Sequence, residues 1–141
     1  MEAAKAMLAP TIALVLWSAV IWFWMYATRI PAIAQMKMRL DPNAPRGEQM
    51  SQLPAHVRWK ADNYNHLMEQ PTLFYAVALT LAILGDHSAA SVALAWGYVL
   101  LRVVHSLWQS LRNVIIVRFA LFALSSLLLW ALAARAALQV F

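Results

Sequence analysis

The chain has 141 residues, 63% hydrophobic and 12% charged, with a formal net charge of +5 and no cysteine. A soluble domain of this size cannot hide so much apolar surface, since soluble chains average about half apolar and about a quarter charged. The absence of cysteine excludes disulfides, thiolate metal sites and a cysteine nucleophile, and basic residues gathered beside apolar runs point to membrane orientation rather than to nucleic acid.

Ala6 to Thr28 carries no charge, and a helix of about 20 residues crosses the hydrocarbon core of a bilayer. The run is too long and too rich in Trp and Tyr to be a signal peptide headed by Lys5. It is followed by RIPAIAQMKMRLDPNAPRGEQMSQLPAHVRWK, which holds Arg29, Lys37, Arg39, Arg46, Arg58 and Lys60 of the eleven Lys and Arg in the chain. The middle of that segment, LDPNAPRGEQMSQLP, is its turn-rich part. Asn63 to Gly85 forms the second candidate span, interrupted by Glu69 and carrying Pro71, which reads as a simple proline kink. GDHSAA then connects to Ala89–Leu111, the third candidate, which contains Arg102 and His105. Val114 to Ala134, containing Arg118, is the fourth. Gly97 and the Ala-rich last helix allow close helix approach.

The expected architecture is all-α: one integral membrane domain, residues 1–141, folded as an up-down four-helix bundle with helices over about 6–38, 56–85, 88–111 and 114–138. The positive-inside rule puts the first and third connections in the cytoplasm and both termini on the opposite side, opposed weakly by Lys5 and Arg135. Any chemistry must then come from side chains inside the bundle or at its cytoplasmic mouth.

The third span supplies candidates. At about 100° per residue, Arg102, His105, Gln109 and Arg112 fall within roughly an 80° arc. At the start of the second helix, Arg58, Asp62, Asn65 and Glu69 share another narrow face. A charge near the bilayer centre costs about 2.5 to 3.5 kcal/mol, so these residues must face protein or water. The plainer reading pairs Glu69 with Arg102 and lets Arg58 and Arg112 snorkel to the headgroups. It leaves His105, Asn65 and Gln109 unexplained, since an ion pair needs no neutral hydrogen-bonding groups beside it. Surplus cations (Lys37, Arg39, Arg102, Arg118) with Asn, Gln, His and one carboxylate suit a small zwitterion of net negative charge. His56, His66 and His87 read as loop or boundary residues, and no His or carboxylate cluster has metal-ligand spacing.

Two segments resemble the MAPEG family, the membrane-associated proteins of eicosanoid and glutathione metabolism. NYNHLMEQPTLFYAVALTLAILG, Asn63 to Gly85, is similar to the family's second-helix pattern of Asn, Glu, Pro and aromatic residues ending in Leu-Gly, with either Asn63 or Asn65 as the matching Asn. LLRVVHSLWQSLRNVIIVRF, Leu100 to Phe119, is similar to the third-helix Arg-x-x-His pattern followed by an Arg early in the fourth helix. QMKMR, Gln35 to Arg39, resembles the basic end of the first helix. The resemblance spans nearly the whole chain.

It implies a bacterial-type member akin to microsomal glutathione transferases, assembled as a homotrimer, with glutathione as co-substrate between subunits near the cytoplasmic face. Carried over residue by residue, Arg118 is the catalytic position that stabilises the glutathione thiolate. Lys37, Arg39, Asn65, Glu69, Arg102 and His105 are then expected to bind glutathione, joined by Arg58 and Gln109 from the two polar stripes. Gln109 stands where eicosanoid enzymes often have Tyr, and Phe119 and Phe122 stand where prostaglandin-forming members have Ser and Tyr. The expectation is therefore a transferase or peroxidase acting on hydrophobic electrophiles that arrive from the lipid. The alternative is a non-catalytic protein of the same fold that binds lipid or a partner protein.

Overall fold

The computed structural model describes residues 2–141, with side chains from Lys5 onward. Its regular elements are helices: α1 (Glu2–Gln35), α2 (Glu48–Ser51), α3 (Ala55–Met68), α4 (Pro71–Ile83), α5 (Ala89–Leu111) and α6 (Ile115–Val140). On α1, Met7, Thr11, Leu14, Ser18, Ile21 and Met25 are buried at alternating spacings of four and three, the seam of a helix that packs along its neighbours. Thr11 and Ser18 fit this apolar seam because their hydroxyls donate to the carbonyls of Met7 and Leu14, both at 3.0 Å. The seam meets Phe74, Ala78 and Leu81 of α4, Ala95 and Tyr98 of α5, and Leu129 and Leu132 of α6 in one core. A Cβ added at Gly97 would stand 2.9 Å from Leu128 Cδ1, so α5 and α6 approach closely there.

Helix α1 ends in a left-handed cap. Lys37 has φ 50; its N–H bonds the Ala34 carbonyl at 3.1 Å, and the Met38 N–H reaches back to Ile33 at 3.2 Å. Glycine is the usual occupant of this position. The basic connection that follows is held down by a small core of Ala32, Leu53 and Val57. Gln49 also ties it, donating to the Arg39 carbonyl at 2.9 Å and accepting from the Asp41 N–H at 3.2 Å.

The second hydrophobic stretch is not one kinked helix. It breaks between α3 and α4, where Glu69 takes φ −88 and ψ −98. Pro71 has no N–H with which to continue the ladder and its ring crowds the preceding turn. The chain restarts with Pro71 in the first turn of α4, and Thr72 and Leu73 bond back to Glu69 and Gln70 at 3.2 and 3.0 Å. Among the described residues three helices are long and apolar enough to cross a membrane, over Lys5–Gln35, Ala89–Leu111 and Ile115–Val140. With 14 and 13 residues, α3 and α4 are each about 20 Å long, and each is shorter than the hydrocarbon core of a bilayer.

At the other end of α4, Gly85 (φ 74) makes the left-handed turn into the short connection. Asp86 there accepts from Ser91 Oγ at 2.6 Å, Gln139 Nε2 at 2.8 Å and the Ser88 N–H at 2.9 Å. Arg135 donates to Ser91 and Ser88 at 2.6 and 2.8 Å and lies 3.7 Å from the Asp86 carboxylate. This network fastens the connection to the end of α6. Burial pushes the Asp86 carboxyl up, but the bonds from Ser91, Ser88 and Gln139 outweigh it and hold it well below the usual carboxylate range.

Candidate functional site

The break at Glu69 governs the polar interior. In an unbroken helix the His66 carbonyl would accept from the Gln70 N–H. Past the bend, it accepts instead from Arg102 Nη2 on α5, at 3.0 Å. The same Nη2 lies 3.4 Å from His66 Nδ1. Arg102 is fully buried, its guanidinium 5.9 Å from the centre of the Phe122 ring. Its Nε and Nη1 are buried with no hydrogen-bond partner. Gln70 anchors the other side of the break: it donates to Ser126 Oγ at 2.8 Å and accepts from the Tyr98 hydroxyl at 3.3 Å.

His66 in turn meets His105 edge to face, ring centres 4.9 Å apart, and tilts against Phe122 at 5.2 Å. A cleft of about 340 Å³ opens beside these rings, lined by His66, His105, Ile115, Arg118, Phe119 and Phe122. Arg118 reaches it from the first turn of α6. Its Nη1 donates to Asn113 Oδ1 at 2.6 Å, and its Nε is buried without a partner. Asn113 occupies the left-handed region (φ 53) between α5 and α6, a conformation that Asn tolerates better than most residues. Cationic and imidazole groups thus share one cleft with an aromatic and aliphatic wall. Such a site suits a small anion bearing, or meeting, an apolar body.

The sequence model of the MAPEG family matches residues 7–138. The chain belongs to the MAPEG family. No curated protein and no solved structure matches it. Membership makes it a membrane protein of this family, consistent with its three long apolar helices.

In this MAPEG protein the residues singled out by spacing are divided among several places. Arg102, His105 and Gln109 are buried, 0%, 1% and 2% exposed, and face the interior; Arg112, one turn on, is exposed. The other stripe points away: Arg58, Asp62, Asn65 and Glu69 are all exposed on this chain. Glu69 does not pair with Arg102. Instead its Oε2 lies 3.7 Å from His66 Nδ1, one turn back on α3. Arg58, Asp62 and Asn65 line a separate cleft of about 260 Å³ with Arg29 and Ser51. Lys37 and Arg39 are exposed beyond the end of α1. Only His105 and Arg118 of the predicted set line the larger polar-and-aromatic cleft.

The inward face of α3 consists of Val57, Lys60, Ala61, Asn63 and Leu67. Asn63 donates to Ser106 and Ser110 on α5 at 2.6 and 3.0 Å, so it is a helix-packing residue and Asn65 faces outward. His66, assigned by sequence to a boundary, is instead at the centre of the site. Its signal was its position one turn from Asn63 and Gln70 on a second polar face of the same helix. The roles of Gln70 and Asn113 had a weaker signal, their placement beside Pro71 and between two helices.

Proposed function

We propose that the protein is a glutathione-dependent membrane enzyme, a transferase or peroxidase acting on hydrophobic electrophiles. The observation that carries this reading is Arg118, with an unpartnered buried Nε, on a cleft walled by Ile115, Phe119 and Phe122. A guanidinium in a low-dielectric cleft stabilises a thiolate strongly. The thiol proton leaves to water, the thiolate sulfur forms a bond to the electrophilic carbon, and the leaving group departs with the bonding electrons. The aromatic wall receives the apolar reactant from the bilayer.

The rest of the glutathione-binding set is read as completed by a second copy of the chain. Arg58, Asn65 and Glu69 are exposed on a helix that, with α4, makes the fourth crossing in this reading. Leaving that stripe in lipid would be expensive, and in a homotrimer it lies against the cleft of the next subunit. Lys37 and Arg39 at the end of α1 and the inward Arg102, His105 and Gln109 complete the charge match to a tripeptide with two carboxylates and one ammonium. The basic connections face the cytoplasm and both termini the opposite side.

Calorimetry with glutathione, followed by turnover of a halonitrobenzene, tests the reading. Glu69→Gln is expected to weaken binding more than Glu48→Gln, because Glu48 belongs to the exposed connection. Absence of glutathione binding would remove the proposal. Binding without turnover of this or a peroxide substrate would leave the non-catalytic alternative.

A further inference from the structure

We infer that His66 is a ligand-contacting residue of the Arg118 cleft, offering its Nε2–H as a hydrogen-bond donor to the anionic sulfur, with Arg102 as the positioning residue that selects this tautomer. The inference rests on the glutathione reading and adds to it a residue outside the binding set drawn from the sequence.

The tautomer follows from donor and acceptor chemistry. A guanidinium carries donors and no acceptor. Arg102 Nη2 lies 3.4 Å from His66 Nδ1 and 3.0 Å from the His66 carbonyl, so a favourable contact requires a lone pair on Nδ1. The single hydrogen of a neutral ring then sits on Nε2. Glu69 Oε2 favours the other tautomer, but it lies farther from Nδ1, at 3.7 Å, on a side chain that is 71% exposed. The buried, nearer arginine prevails over the solvated carboxylate. The ring plane is set by packing, edge to face on His105 and tilted on Phe122.

The cleft supplies the target. His66 lines it with Arg118. The charged and titratable groups around the ring are Glu69 at the end of α3, Arg102 and His105 on α5, and Arg118 on α6. A thiolate beside Arg118 would accept from its guanidinium and from His66 Nε2–H together. The proton given up by the thiol passes to water, because a ring already protonated at Nε2 and facing Arg102 at Nδ1 has no free site for it. His66 is therefore a donor in this cleft and not its base.

Two measurements on the full-length protein in detergent decide the matter. The first is the imidazole nitrogen chemical shifts of the ligand-free protein, with His66→Gln used to assign the His66 signals. A protonated Nε2 and an unprotonated Nδ1 are expected; hydrogen on Nδ1 would overturn the proposal whether or not glutathione binds. The second is the thiol titration of bound glutathione, followed by thiolate ultraviolet absorbance. His66→Phe keeps an aromatic ring against His105 and Phe122 but lacks the donor, and should lower the thiolate fraction at neutral pH about tenfold. His66→Gln places an amide N–H near the Nε2 position and should restore most of it, which a purely structural role would not predict. A titration unchanged in His66→Phe would overturn the assignment. If the wild type binds no glutathione, the functional reading fails and the assigned ligand with it, while the nitrogen shifts still report whether the donor exists.

Discussion

Arg102 Nη2 donates to the His66 carbonyl oxygen at 3.0 Å, across 36 residues of sequence. This bond meets a backbone acceptor at a helix break in the middle of a hydrophobic stretch. A buried carbonyl left without a donor there would be costly, which gives the buried Arg102 guanidinium a structural role at the break. The same arginine orients the ring that faces the cleft.

Arg102→Met should therefore loosen the break before it disturbs the rest of the bundle. The expected loss is about 1 to 3 kcal/mol for an unsatisfied buried acceptor. Hydrogen exchange should quicken at the amides of Gln70, Thr72 and Leu73 more than in the middle of α5. Unchanged exchange at those amides would mean that Pro71 alone maintains the break.

Asn63 and Asn65 should separate stability from binding. Asn63→Ala removes the donors to Ser106 and Ser110 and should destabilise the fold by about 1 to 3 kcal/mol in detergent unfolding. Asn65→Ala alters an exposed side chain and should stay within about 0.5 kcal/mol, while weakening glutathione. The reverse pattern would show that the outward face of α3 is structural.

Arg118→Ala is expected to lower halonitrobenzene turnover by about a hundredfold, the scale seen on losing one donor to a developing or resident anion. Affinity for glutathione should change less, because other cations meet its carboxylates. Asn113→Gly keeps the left-handed turn at φ 53 but removes the acceptor for Arg118 Nη1. Its turnover should fall by roughly tenfold or less. Equal activity of Asn113→Gly and wild type would show that the arginine needs no anchor.

Asp86 gives the protein an acid sensitivity at the opposite end. Its carboxyl is held below the usual range by Ser91, Ser88 and Gln139 in spite of burial. A depressed folded-state value contributes stability that is fully present above the unfolded value, roughly pH 4, and is lost as pH falls toward the folded one. Thermal unfolding of the wild type should therefore weaken steadily from pH 4 to pH 2. Asp86→Asn should be less stable at neutral pH and show a flatter profile across that interval. Parallel profiles would assign the acid response to other carboxylates.

The sequence by itself determined the three long apolar helices, the membrane class and the family, because hydropathy and period are local properties that a long apolar helix expresses wherever it packs; the break between α3 and α4 it read as a kink. It also grouped Arg102, His105, Gln109 and Arg112 as one stripe of α5; the first three are buried and Arg112, at the helix end, is exposed. On α3 it singled out Arg58, Asp62, Asn65 and Glu69, the face that is exposed on this chain. Arg58, Asp62, Asn65 and Glu69 recur with helical spacing, and so do Lys60, Asn63, His66 and Gln70; periodicity says which residues travel together, not which set meets a neighbour. Only the tertiary structure decided it, because Asn63 finds Ser106 and Ser110 on α5, and the break before Pro71 frees a carbonyl that Arg102 can reach. Those contacts are set by the distance and rotation between helices far apart in sequence. The same rotation put His66 in the cleft and turned Glu69 away from Arg102.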